Sequence, residues 1–361
     1  MGIMGTGHAQ NLIQGKVPNM EFTAACESDP AALAKTLDTF PGIKGFDSVD
    51  ELIASGSCDA ILIATPHYDH PPVAIAAMKG GLHVCTEKPI AVYTKAAKEM
   101  ITAAEHTGMV FAIMYNERTN PIYIKAKDLI DAGELGAITR VSWIATEWYR
   151  TQHYYDMGSW RGSWAGEGGG ILMNQCPHQL DLLQWICGMP ESVRAFCRIA
   201  QYHDIEVEDD VTAYLTWPNG ATGVFIANTA EAPGTNRLEI TGTQGRLIAE
   251  MDELKFHKLR IDTLTHLKTA KTGFDKPECW EVKVPATGEY THHPGVLNAF
   301  ADRILNGGKM IAEGAEGLNG LMLCNAMYLS SWTNAAVSLP IDDEMYWSYL
   351  QERIAASAYK G

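Results

Sequence analysis

The chain is poor in positive charge. Its 361 residues carry 28 Lys and Arg against 43 Asp and Glu, a formal net charge of -15 with a pI near 5.2. Nucleic-acid binding relies on clustered Lys and Arg to displace counterions from phosphates, and the absence of such clusters argues against that class of partner. No run is apolar enough for a membrane helix, and no basic start followed by an apolar segment marks a signal peptide. The eight cysteines, at 26, 58, 85, 176, 187, 197, 279 and 324, form no CxxC pair and mostly lie in apolar runs, as free thiols do in a reducing cytoplasm. An acidic globular protein remains. Its length suits two domains, and 46% hydrophobic residues are ample for both cores.

The segment Gly2-Ile3-Met4-Gly5-Thr6-Gly7-His8-Ala9 predicts a strand stub, a glycine turn and a short helix from Gln10. Such a turn holds a dinucleotide pyrophosphate: Gly5 permits the bend, Gly7 lets the backbone approach, and the helix N-terminus supplies N–H groups and a positive dipole. The third small position falls on Gln10, so a plain turn stays open as the alternative. Met1 runs directly into the first strand, so that strand is very short or the true start lies a few residues earlier. The next strand, Glu21 to Cys26, delivers Glu27 twenty residues after Gly7, the spacing of an acid that accepts from ribose hydroxyls and repels a 2′-phosphate. That favours NAD over NADP.

Strand and helix then alternate. Asp29-Pro30 and Ser48-Val49-Asp50-Glu51 open helices. The apolar strand Ala60 to Ala64 ends in Thr65-Pro66-His67, with His70 close behind, and Leu82 to Cys85 ends in Thr86-Glu87-Lys88-Pro89. A helix over Thr94 to Thr107 leads to the strand Met109 to Met114 and to Tyr115-Asn116-Glu117-Arg118. Some five parallel strands predict an α/β, doubly wound dinucleotide-binding domain over residues 1–120, and ligands bind such sheets at the carboxyl ends of their strands. A lysine there can hold or move a proton on a substrate hydroxyl, although Glu87-Lys88 also reads as a surface pair before a turn.

From 121 the pattern predicts a helix to Ala132 and then a second domain, 121–361, whose open, mostly antiparallel sheet has strands at Arg140–Trp148, Val193–Tyr202, Asp210–Trp217, Gly223–Thr229, Arg237–Gly242 and Arg246–Met251. Its uncovered face suggests a homodimer or homotetramer. Gly168-Gly169-Gly170 leads into a helix from near Asn174 to Cys187, which would put Asn174, His178 and Asp181 on one face. Histidine suits proton transfer near neutral pH; a hydrogen-bonded core histidine is the other reading. The loop from Glu147 to Trp164, with Tyr149, Trp160, Arg161 and Trp164, is built to hold a polar ring, or else packs onto its own domain. His153 with Asp156 lacks a third ligand, so no metal is expected. His293 precedes a helix and either reaches the site or lies at the surface. A last helix over 344–355 is placed against the first domain.

These residues, in this order, resemble the family of glucose-fructose oxidoreductase and inositol dehydrogenase, written Gfo/Idh/MocA: Gly5-Thr6-Gly7, Glu27, Ala64-Thr65-Pro66 with His70, Glu87-Lys88-Pro89, Asn116 with Arg118, Gly168 to Gly170, and His178 with Asp181. The resemblance spans almost the whole chain. It implies an N-terminal Rossmann domain, a C-terminal α/β domain and NAD-dependent oxidation or reduction of a secondary hydroxyl on a sugar, cyclitol or sugar derivative. The cofactor residues it implies are Gly5, Thr6, Gly7, His8, Ala9, Glu27, Ala64, Thr65, Pro66, His67, His70, Glu87, Lys88 and Asn116. Lys88, His178 and Asn174 are the catalytic candidates; Tyr149, Trp160, Arg161, Trp164 and His293 join them as substrate candidates. The family's aspartate four residues before the histidine falls on Asn174, and Cys176 replaces the usual glycine. An amide orients a hydroxyl but cannot take its proton, which leaves that task to Lys88 or His178. Two other readings are redox-neutral glycoside cleavage with retained NAD and a non-catalytic NAD-bound sensor.

If Glu27 faces the adenosine ribose, NAD binds at least ~10-fold tighter than NADP, about 1.4 kcal/mol. Direct titration of both dinucleotides checks this; comparable affinities remove Glu27 from the ribose site.

Overall fold

Prolines and short polar caps set the helix starts. Asp29 accepts from the Ala31 N–H at 2.8 Å with Pro30 in the first turn of the helix Pro30–Thr39, and Asn120 accepts from Ile122 N–H at 3.0 Å to open Pro121–Asp131. Ser48 caps Val49–Ala54, and Thr94–Thr107 ends at Gly108 with φ of 68°. The computed structural model describes residues 1–359. They divide into two units, one comprising Met1–Thr119, Gly166–Gly168 and Thr291–Leu321, the other Asn120–Ala165, Gly169–Tyr290 and the residues from Met322 on.

The first unit holds five short parallel strands in two sheets. Ala24–Cys26 (β1) pairs with Lys44–Phe46 (β2); Ala60–Ile63 (β3), His83–Thr86 (β4) and Phe111–Ile113 (β5) pair in that order. β2 carries no apolar run to announce it. The expected N-terminal strand and glycine turn are not formed. Ile3–Ile13 is helical instead: among the described residues no strand pairs with this segment, and its backbone is satisfied by helical bonds, beginning with Thr6 N–H to Gly2 C=O at 3.0 Å. Val17, Cys85, Ala112 and Met114 form the core of this unit with Val296, Leu297 and Phe300 of the helix His292–Asn306. That segment lies far along the chain, so the units do not separate at a single point.

The second unit is dominated by a nine-stranded sheet. Its strands are Ile138–Ala145 (β6), Ser192–Ile199 (β7), Glu208–Thr216 (β8), Thr222–Asn228 (β9), Asn236–Gly242 (β10), Gly245–Glu250 (β11), Glu253–Leu259 (β12), Cys279–Lys283 (β13) and Val337–Ser338 (β14), in the order β13-β12-β11-β10-β6-β9-β8-β7-β14. All neighbours are antiparallel except β6 and β9. Gly220, with φ of 82°, closes the hairpin before β9. The alternation buries Val141, Trp143, Ala213, Leu215, Phe225, Ala227, Leu238 and Ile240 on one face. β13 lies at the edge with scarcely any buried residue, so no period in the sequence reveals it.

The helix expected from Asn174 to Cys187 is two helices, Ile171–Asn174 and Pro177–Cys187. Pro177 has no N–H to continue the first, so the chain breaks at Gln175-Cys176 and restarts. Asn174 therefore ends one helix while His178 and Asp181 lie on the next. The last helix, Asp343–Ala356, is capped by Asp342 and belongs to the second unit. The eight cysteines are all free thiols. Among the described residues no helix is long and apolar enough to cross a membrane.

Candidate active site

In the first unit the carboxyl ends of β3, β4 and β5 deliver the groups expected there. Glu87 follows β4 and is buried; its carboxylate meets His8 Nε2 at 2.7 Å and accepts from the Lys88 N–H at 3.2 Å. Burial alone would push the Glu87 carboxyl up, but the hydrogen bond to His8 and the charges of His8, Lys88 and His293 outweigh it and hold the group well below the usual carboxylate range. Lys88 is half-buried beside it. His293, at the start of the helix His292–Asn306, sets its ring edge-on to His8 with centroids 5.2 Å apart, and burial lowers its pKa first, with Glu87 opposing. The structure thus brings His8, Glu87, Lys88 and His293 into one cluster.

The other cofactor candidates divide by environment. Gly5, Thr6, Gly7, His8 and Ala9 all lie within the N-terminal helix rather than in a turn. Glu27 follows β1 and pairs with the Met1 ammonium, while its carboxylate also accepts from Asp29 N–H at 3.1 Å. Ala64, Thr65 and Pro66 follow β3. His67 is buried with Nδ1 2.9 Å from the Glu167 carbonyl. His70 is completely buried, its ring between the carbonyls of Pro89 (2.8 Å) and Thr65 (3.0 Å), and burial lowers its pKa despite those bonds. It braces the segments after β3 and β4 rather than facing a ligand. Asn116 is buried after β5, its amide donating to Glu117 at 3.2 Å.

The glycines of the triplet are shaped by contact, Gly169 and Gly170 in the second unit and Gly168 in the first. A Cβ on Gly170 would strike the Glu208 carbonyl; in the first unit one on Gly168, already at φ of 82°, would strike Val92. Glu208, fully buried on β8, accepts from Gly170 N–H and Leu172 N–H at 2.9 Å each and from the Tyr328 hydroxyl at 2.7 Å. It therefore pins the start of the helix that ends at Asn174. His178 is buried in the first turn of the following helix, and Asp181 accepts from Gln184 at 3.0 Å. Tyr149 is 51% exposed, and Trp160 lies under the Arg161 guanidinium, 4.6 Å from its ring centre. Trp164 is 6% exposed and packs edge-on against Tyr328 and Trp332, so of the two readings of the loop it follows the packing one. Sequence reasoning missed Tyr154, whose hydroxyl meets Arg161, Asn174 and Gln175, and Glu208. Only the density of aromatics around Tyr154 hinted at it. Among the described residues no three His, Cys, Asp or Glu side chains group to hold a metal.

The residues of the first unit fit a dinucleotide. A Cβ on Gly7 would meet nothing within 4 Å, so space lies open beside it, and His8 Nδ1 is buried without a hydrogen-bond partner. Residues 1–115 match the oxidoreductase family with an NAD-binding Rossmann fold, and residues 123–248 match the GFO/IDH/MocA C-terminal domain. The chain belongs to the Gfo/Idh/MocA family. It is an oxidoreductase with NAD as cofactor, an N-terminal Rossmann domain and a C-terminal domain built on a large, mostly antiparallel sheet. Among its relatives, scyllo-inositol 2-dehydrogenase (NAD(+)) of Bacillus subtilis is 27% identical over 285 residues, 76% of this chain and 77% of that one. Levoglucosan dehydrogenase of Pseudarthrobacter phenanthrenivorans is 24% identical over 94% of this chain and 96% of its own. The crystal structure of the WlbA dehydrogenase of Bordetella pertussis, in complex with NADH and UDP-GlcNAcA, is 28% identical with a TM-score of 0.79 over 94% of this chain and 97% of that one.

Glu208 gives the site a pH signature. Burial raises its pKa to about 7, against the lowering effect of the Tyr328 hydroxyl and the Leu172 and Gly170 N–H groups. The folded chain therefore holds this proton more tightly than the unfolded chain does. The site's contribution to stability is full below the ordinary glutamate pKa and is lost as pH rises from there to about 7. Urea unfolding at pH 5 and pH 8 should show the wild type losing ~3 kcal/mol relative to Glu208→Gln over that interval; equal pH dependence in both proteins would contradict this account.

Proposed function

We propose that the protein oxidises, or in reverse forms, a secondary alcohol on a sugar, cyclitol or sugar derivative. The observation that carries this is Lys88 at the carboxyl end of β4, beside a glutamate kept ionised and two histidine rings. NAD, held by Gly5 to Ala9, Glu27, the segment Ala64 to His67, Glu87 and Asn116, supplies the hydride acceptor when bound. Glu27 offers carboxylate oxygens to ribose hydroxyls in place of the Met1 ammonium. Glu87 stays charged beside Lys88, whose ammonium suits a group that holds a substrate oxygen and passes a proton. His178, on a helix start whose neighbour is pinned by Glu208, takes or returns the hydroxyl proton, and Asn174 orients that hydroxyl. Tyr149, Trp160 and Arg161 hold the ring from the loop, and His293 adds a donor beside His8. The named compounds of the relatives, an inositol, levoglucosan and a nucleotide sugar, support a polyhydroxylated ring as substrate.

Lys88→Ala and His178→Ala should each lower turnover by roughly 100-fold while leaving NAD affinity unchanged. The wild type, given a panel of sugars and cyclitols, should accumulate NADH in proportion to oxidised product. Aglycone release from a glycoside without NADH would replace this reaction by redox-neutral cleavage.

The outer face of the nine-stranded sheet supports self-association into a homodimer or homotetramer. Ile144 faces Ile226 across β6 and β9, Val224 faces Tyr214 across β9 and β8, and Phe196, 56% exposed, continues the apolar strip onto β7. Charges flank it: Arg198 with Asp210 on one side, Arg237, Glu239 and Arg246 on the other. In light scattering after size exclusion, the wild type should elute as an oligomer and Ile226→Lys as a smaller species. A monomeric wild type rules this surface out.

A further inference from the structure

Two arginines stand over one ring in the second unit and meet no carboxylate among the described residues. Arg150 precedes the short helix Gln152–Asp156 and Arg161 follows it. Their guanidinium carbons lie 5.0 and 4.6 Å from the ring centre of Tyr154. Each also lies over a tryptophan, Arg150 over Trp148 at 5.6 Å and Arg161 over Trp160 at 4.6 Å, so that cation and ring alternate along the segment. Both guanidinium groups are tied through Nη1, Arg150 to the Tyr149 carbonyl at 2.9 Å and Arg161 to the Tyr154 hydroxyl at 2.8 Å. The backbone of Arg150 is held as well: its N–H donates to the Thr229 carbonyl at 2.7 Å and its carbonyl meets His203 Nε2 at 2.9 Å. Among the described residues no carboxylate oxygen lies within 4.0 Å of either guanidinium, and Nε and Nη2 of both have no protein acceptor.

Carboxylates of the same unit are engaged elsewhere. Glu147 accepts from the Asn236 amide at 2.6 Å, Asp156 from the Gln152 amide at 3.1 Å, and Glu206 from the Ser357 hydroxyl at 2.6 Å and the Trp164 N–H at 3.3 Å. In a chain of net charge -15, two half-buried cations over one ring and without an ion pair are costly, since burial strips water from both and each repels the other. The aromatic faces offset part of that cost, and an anion offsets more. An arginine whose face lies on a ring still has its edge, and the Nε and Nη2 edge matches the two coplanar oxygens of a carboxylate. The net negative charge does not oppose such a contact, because at physiological ionic strength charges beyond about 8 Å are screened. We infer that Arg150 and Arg161 form a subsite for a carboxylate carried by the substrate, which makes that substrate a sugar acid rather than a neutral polyol. This rests on the reading, given above, of the loop as the holder of the substrate ring. It adds Arg150 to the residues that set specificity.

The test sets hexuronates beside their parent hexoses and hexose 6-phosphates, with the NAD-loaded protein. The kcat/KM of the best uronate should exceed that of its parent by ~100-fold, chiefly through KM, as two charge-assisted contacts predict. Arg150→Met and Arg161→Met should each cut that ratio by ~10-fold. A segment merely loosened would lose both substrates alike and leave the ratio unmoved. Arg161→Lys keeps the charge without the fork, and its ratio should lie between those of the wild type and Arg161→Met. Calorimetric titration of the same compounds gives the ratio without turnover. A uronate that binds no better than its parent, a ratio unmoved in both methionine variants, or a preference for the phosphate overturns the inference. If uronates bind with this dependence on arginine while no NADH forms, the proposed reaction fails and the subsite stands.

Discussion

A carboxylate taken out of water must be given partners, and each unit is arranged around one that is. Glu87 sits among His8, Lys88 and His293, and the positive charge available there outweighs its burial. Glu208 is offered backbone N–H groups and a phenol, which satisfy its oxygens without supplying opposite charge, and its pKa rises to about 7. The same side chain, equally enclosed, is thus a fixed anion in one unit and a titrating group in the other. The first suits a place beside the lysine proposed to carry a proton. The second suits a brace on the glycine segment.

Many of the groups that matter here stand at element ends. Thr65, Glu87 and Asn116 follow strands, Asn174 closes a helix and His178 opens the next. Backbone at such places has unpaired N–H and C=O groups, so functional side chains compete there with structural duties. His70, which joins two carbonyls, and Trp164, which packs edge-on into an aromatic cluster, have been taken over by structure. Arg161 and Tyr154 do both kinds of work: their cation–π and hydrogen-bonding contacts stiffen the loop and also reach Asn174.

Much of this protein was determined by the sequence itself. Caps and prolines at Asp29-Pro30, Asn120-Pro121 and Gly108 mark helix ends because they act on backbone groups within one turn. The apolar runs of β3 and β4 and the alternation of β6 to β11 report burial through a local period, and the ordered motifs from Gly5 to Asp181 were sufficient for family and cofactor. Only the tertiary structure decided the rest. Whether Gly5 and Gly7 bend or wind depends on a strand beside them. Whether β13 forms depends on β12, since five residues of which four are exposed have no period to follow. His8 with Glu87, Glu208 with Gly170 and Tyr154 with Asn174 are separated by 79, 38 and 20 residues. Such pairs are invisible in a local pattern, because their energy comes from burial and orientation that exist only once the chain has closed around them.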